Sequence, residues 1–144
     1  MASPARNDPY SALNFLVEID GIAVAGFTEC FGLSTETDVI EYREGGEPTR
    51  SRKIPGLTRY APIVLKRGIT KNRDLWKWRK TVIDGRISRR SVSIVLLDEE
   101  HKEVARWNVV NAWPSKWEGP HLNAKSSEVA IETLELVYEG LDFA

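Results

Sequence analysis

The chain alternates apolar and polar residues for most of its length and takes up a helical period once, between Leu65 and Gly85. At 3.6 residues per turn, Leu75, Trp76, Trp78, Val82 and Ile83 fall in one apolar sector. Arg73, Lys77 and Lys80 fall on the opposite face. The helix is therefore expected to lay a greasy side on a sheet and turn a basic side outward. Arg79 lies inside the apolar sector, where it should snorkel along the Trp rings or pair with an acid beneath. Thr70 stands where an N-cap belongs, its hydroxyl able to accept an N–H of the first turn. Asp84-Gly85 supplies the stop, because glycine tolerates the left-handed conformation that ends helices.

The remainder reads as strands. Asn14–Asp20 sets Phe15, Val17 and Ile19 on one face, and Asp20-Gly21 is a tight-turn signal that returns the chain along Ile22–Phe27. Leu33–Tyr42 is a third strand, polar enough to have one face in water. The run Glu41–Lys53 holds two adjacent glycines, a proline and dense charge, which predicts a long exposed loop. Ile54-Pro55-Gly56 marks the return, and Ala61–Lys66 leads to the helix. After a basic connector, Ser91–Leu97 is a buried strand and Asp98–Glu103 a polar hairpin turn. Val104–Trp113 follows, with Trp107, Val109 and Trp113 on one face, and Pro114 should end it. Trp117–Ser126 reads as an irregular connection and Ser127–Tyr138 as a long last strand. The expectation is mainly β with one main α-helix: about seven strands in an antiparallel β-barrel or sandwich flanked by the helix, with a long charged protruding loop. No repeat or linker divides residues 1–144, so one domain is expected, with residues 1–9 as an extended arm.

Composition changes this picture in one respect. The formal net charge is −1, yet Arg50 to Arg90 holds 14 Lys/Arg against 2 Asp/Glu. A basic middle between acidic ends suits either a nucleic-acid surface or two complementary surfaces that meet between copies. Five tryptophans beside basic residues could stack on bases. Core packing accounts better for four of them, and the expected core includes Phe15, Leu75, Trp78, Trp107 and Trp113. The pattern leaves Trp117 without a place. Cys30 is the sole cysteine, read as a small buried hydrophobe, and with His101 and His121 it makes no metal-ligand spacing. No nucleophile elbow or phosphate loop appears. No catalytic, cofactor-binding or metal residues are expected, and an enzyme is the weakest class. The N-terminus lacks a secretory h-region and no apolar run approaches the ~20 residues of a membrane helix. The chain is expected to be made in the cytoplasm and not to insert into membranes.

Several motifs occur together in order. They are Asp8-Pro9-Tyr10 with Asn14-Phe15-Leu16-Val17-Glu18-Ile19-Asp20-Gly21, then Glu41-Tyr42-Arg43-Glu44-Gly45-Gly46, then Lys53-Ile54-Pro55-Gly56-Leu57-Thr58. Leu65-Lys66-Arg67-Gly68, Leu75-Trp76-Lys77-Trp78, Arg106-Trp107-Asn108, Asn111-Ala112-Trp113-Pro114, Asn123-Ala124-Lys125 and Glu128-Val129-Ala130-Ile131-Glu132 follow. Across nearly the whole chain this resembles the tail tube proteins of contractile phages and the inner tube proteins of phage-tail-like contractile injection systems. The resemblance implies a β-barrel with a flanking helix, hexameric rings stacked head to tail into a hollow tube, and a sheath whose contraction drives the tube through a target envelope. It implies strands of neighbouring subunits joined into a sheet lining the lumen, and a long loop reaching an adjacent ring.

By that resemblance the partners would be other copies of the chain, a sheath protein, baseplate hub and tube-terminator proteins, and cargo in the lumen, either a protein effector or DNA. The product would be a virion tail or a released extracellular particle. The polar strand Leu33–Tyr42 and the long strand Ser127–Tyr138 suit a sheet that closes between chains. Arg43, Glu44, Gly45, Gly46, Glu47, Arg50, Arg52 and Lys53 would form the inter-ring or inter-subunit loop, and Arg73, Lys77 and Lys80 the sheath-facing helix surface. A specialised baseplate-proximal or terminal ring is the alternative within the family. A nucleic-acid-binding module on residues 50–90 is the alternative outside it.

Overall fold

A computed structural model describes residues 8–24, 26–46, 50–125 and 127–144. The arm expected over residues 1–9 therefore falls almost wholly outside the described residues. The strands are β1 (Phe15–Ile19), β2 (Ile22–Val24), β3 (Phe27–Phe31), β4 (Thr35–Tyr42), β5 (Arg52–Tyr60), β6 (Ile63–Gly68), β7 (Arg90–Leu97), β8 (Glu103–Glu118), β9 (Ile131–Val137) and β10 (Gly140–Phe143), with helix α1 (Asp74–Ile83) between β6 and β7. Eight strands form one antiparallel sheet in the order β2-β1-β7-β8-β9-β6-β3, with β10 also on β8. The path does not close into a barrel. It folds over on itself like a sandwich, and β2 and β3 are its two ends.

The fold-over is written into β8. Its first part pairs with β7 as far as Ala112, and its last part pairs with β9 from Trp113. Between them Asn111 takes φ +54, and Val110 and Asn111 together oppose one residue of β7. This bulge flips the alternation. Val109 and Ala112 are both buried, while Trp113 is half-buried and stands outside the core cluster. Pro114 does not end the strand as expected. It is buried at a second bulge, where a missing N–H costs no ladder bond. The core lies between the two halves, with Val17, Val92, Ile94 and Val109 from one and Ile63, Leu65, Leu134 and Leu136 from the other, and α1 adds Leu75 and Trp78.

Asp20 and Gly21 both take positive φ, as a two-residue hairpin turn requires. The single strand expected over Ile22–Phe27 is two strands that part company. β2 pairs with β1, and β3 pairs with β6 at the far end of the sheet. Gly32 then takes φ +100 where any Cβ would collide with the Pro62 carbonyl, so only glycine fits the link to β4. The last strand begins at Ile131 rather than Ser127, and the connection before it is displaced along the chain because β8 runs on to Glu118.

Helix α1 begins later than the Thr70 cap implied. The Thr70 hydroxyl accepts the Asn72 N–H instead, and the Asn72 side chain accepts the Asp74 N–H. The helix ends as expected. The Gly85 N–H reaches the Val82 carbonyl and the Arg86 N–H the Thr81 carbonyl, the paired bonds of a Schellman motif, with Gly85 at φ +77.

One charged pair is buried in the sheet. Arg67 on β6 and Glu132 on β9 are register partners, Nε to Oε1 at 3.5 Å, with side chains 5% and 6% exposed. Removing one member of such a pair strands a charge away from water. Glu132→Gln is expected to cost about 3–5 kcal/mol in urea denaturation. The double replacement Arg67→Met/Glu132→Leu should recover most of that loss.

Candidate functional site: a free ribbon and a basic helix face

The expected charged loop is the tip of something larger. β4 and β5 pair only with each other and form a separate two-stranded sheet. Pro55 and Gly56, which read as the end of a loop, lie inside β5. A register shift between Thr37 and Val39 accommodates them, and a Cβ on Gly56 would press on Asp38 and Ile40. The ribbon leaves the body between Ser34 and Ala61, whose backbones bond at 3.2 Å, and Tyr138 Oη donates to the Ala61 carbonyl at 2.6 Å. Beyond that base nearly every residue is exposed, apolar ones included: Leu57 at 74%, Val39 at 64%, and Ile40, Tyr42 and Ile54 besides. An isolated two-stranded hairpin is marginal in water. Apolar side chains open on both faces mark a surface made to be covered.

Of the loop residues singled out in the sequence, Arg43 and Glu44 are exposed beyond β4, Gly45 and Gly46 form the turn, and Arg50 is exposed before β5. Arg52 and Lys53 belong to β5 itself, and Arg52 lies 4.0 Å from Glu44. Glu47 lies outside the described residues.

Lys77 and Lys80 on α1, and Arg73 at its N-cap, are exposed. Lys80 pairs with Asp84 at 2.9 Å, and the Arg73 guanidinium bonds the Thr70 carbonyl. The apolar sector is narrower than its wheel suggested, with Leu75 and Trp78 buried but Trp76 and Ile83 exposed. Trp76 packs edge-on against Trp117, centroids 5.0 Å apart, which gives Trp117 its place. Arg79 neither follows a ring nor meets an acid. It donates to the Pro114 carbonyl at 3.2 Å, and it is Arg90 that stacks on Trp78, at 4.9 Å. Phe15 and Trp107 pack against the core from its margin. The basic middle of the chain is thus divided among β5, β6, α1 and the connector before β7.

Among the described residues no group of three His, Cys, Asp or Glu could hold a metal ion, and no helix is long and apolar enough to cross a membrane. The profile of the family described as T4-like virus tail tube protein gp19 matches residues 11–142. The chain belongs to the T4-like tail tube protein family.

Solved structures agree. A chain of the anti-feeding prophage (AFP) baseplate superposes with TM-score 0.86 at 29% identity, covering 96% of this chain and 97% of that one. A chain of the AFP tube-terminating cap gives 0.89 at 26%, covering 99% and 95%. A chain of the sheath–tube complex of an extracellular contractile injection system, PVC, in its extended state gives 0.88 at 24%, covering 96% and 93%. No curated protein matches. As a tail tube protein the chain is a structural subunit of an inner tube. The ribbon, the basic helix face and the free sheet ends become candidate contacts.

Cys30 of this tail tube protein faces a groove of about 480 Å³ with Phe15, Leu33, Ile94 and Trp107. Burial pushes its thiol up to about 11 from 9.0. A raised thiol pKa leaves less thiolate at any pH below it. At pH 8 iodoacetamide labelling followed by mass spectrometry should run about a hundredfold slower than on the unfolded chain, and the rate should climb until pH approaches 11.

Proposed function

We infer that this tube subunit assembles into hexameric rings, stacked head to tail inside a contractile sheath, with a bore that conducts a protein effector or DNA. The ribbon carries the reading. It exposes apolar side chains on both faces and has no seat in its own fold, so a neighbouring subunit must supply one. The free ends at β2 and β3 support it, since unpaired strands invite strands of another chain. The similarity to chains of sheath–tube, baseplate and cap structures supports a sheath and tube-end proteins as further partners. Arg73, Lys77 and Lys80 would meet an acidic sheath surface. The role is mechanical and not enzymatic. Assembly would begin in the cytoplasm and end in a virion tail or an extracellular particle.

Excising the ribbon tests this, because Ser34 and Ala61 are close enough to be joined by a short Gly-Asn turn. The excised chain should fold as a monomer by circular dichroism and analytical ultracentrifugation. The intact chain, supplied with baseplate where nucleation requires it, should give hollow rods with hexagonal end views in negative stain. Rods from the excised chain would sink the reading.

A second variant addresses the helix. Arg73→Glu/Lys77→Glu/Lys80→Glu should leave tubes intact while sheath co-sedimentation falls at least tenfold, with the defect shrinking at high salt as exposed charges are screened.

A further inference from the structure

The two strands of the ribbon carry opposite charge. β4 holds Glu36, Asp38 and Glu41 and no base, while β5 holds Arg52, Lys53 and Arg59 and no acid. Within the chain the two sets meet across the hairpin. Glu36 stands opposite Arg59, Glu41 opposite Lys53, and Arg59 Nη2 donates to Asp38 Oδ2 at 2.7 Å. Among the described residues each strand has this neighbour on one side alone. The outer edge of β4 is therefore acidic and that of β5 basic. Exposed apolar residues accompany both, Val39 and Ile40 on β4, Ile54 and Leu57 on β5.

We propose that the ribbon is a polarity key, in which the basic β5 edge of one copy lies beside the acidic β4 edge of the next. β4 and β5 are antiparallel, so a neighbour's β4 laid against β5 repeats outside the hairpin the pairing already present within it. Side chains opposite one another on antiparallel strands sit about 4.5–5.5 Å apart, near enough for these charges to choose their partner. The reverse arrangements, β4 beside β4 or β5 beside β5, set acids against acids or bases against bases, and are excluded by that repulsion. A two-fold contact needs one of those arrangements. The allowed contact is heterologous and repeats in one direction. Pro55 leaves β5 one backbone donor short, so the charges rather than an unbroken ladder hold the register. A second copy is the occupant because both complementary edges belong to the same ribbon. The inference rests on the tube reading only in requiring that copies of the chain assemble.

Two variants test it. Glu36→Lys/Glu41→Lys makes both edges basic, and Arg52→Glu/Lys53→Glu makes both acidic, while the Asp38–Arg59 bond is left in place. Far-UV circular dichroism and thermal melts report folding. Each variant alone is expected to need at least tenfold more protein than the natural chain to form rods in negative stain, and an equimolar mixture to restore assembly. The four changes combined should restore self-assembly in a chain that no longer enters natural tubes, read by co-sedimentation of a tagged copy. Variants that each assemble like the natural chain overturn the key, as does a mixture no better than its components when the combined variant also fails. Rods from the natural chain, run alongside, mean that such a failure leaves the tube reading intact. A natural chain that forms no rods even with sheath and baseplate partners overturns both.

Discussion

A strand at the end of a sheet leaves a row of backbone donors and acceptors unmet, and this structure depends on how those rows are used. The eight-stranded sheet bends over its core but stops short of closure, with β2 at one end and β3 at the other. A closed barrel would have removed both edges at once. By leaving them open, and by raising a second, smaller sheet that touches the body only at its base, the chain keeps strand edges unpaired within itself. The interior is by contrast filled. Its apolar residues come from both halves and from α1, and the buried Arg67–Glu132 pair is matched in register across β6 and β9.

The helix plays the opposite part to the ribbon. Leu75 and Trp78 hold it to the sheet, the Trp78 indole donates to the Ser88 carbonyl at 2.7 Å, and Arg90 covers the ring. Anchored on one side in this way, it presents Arg73, Lys77, Lys80 and the edge-packed Trp76 on the other. The molecule thus divides its contacts between a projecting element and a fixed, charged one. The proposed assembly, with unlike neighbours above, beside and outside each subunit, would use both.

Much of this was legible along the chain. Asp20-Gly21 needed positive φ at both positions, and only a hairpin supplies it. Gly85 ended the helix where its spacing said it would. The tail tube resemblance, carried by motifs spread from Asp8 to Glu132, agrees with the match over residues 11–142. The misses share a cause. Pro55, Gly56 and Pro114 look like punctuation in the sequence, yet all three sit inside strands, because bulges absorb a missing donor or a crowded Cβ. A bulge also reverses alternation, and so Trp113 left the core face that its spacing from Trp107 implied. Trp76 turned outward because Trp117, itself unplaced by pattern, offered a partner there. Such choices are made between segments far apart in sequence, where no local period can register them.

The narrow neck of the ribbon has a consequence for kinship among tubes. Among the described residues, a backbone bond between Ser34 and Ala61, the Tyr138 hydroxyl on the Ala61 carbonyl and the Tyr60–Tyr138 ring contact at 5.8 Å tie the projection to the body, all at its base. No core side chain comes from β4 or β5. Insertions, deletions and charge exchanges in the ribbon can therefore accumulate without disturbing the fold beneath. Two lineages could keep superimposable bodies and still cease to mix, each recognising only its own subunits. Several such tubes could then assemble side by side from mixed subunits, sorted by a hairpin.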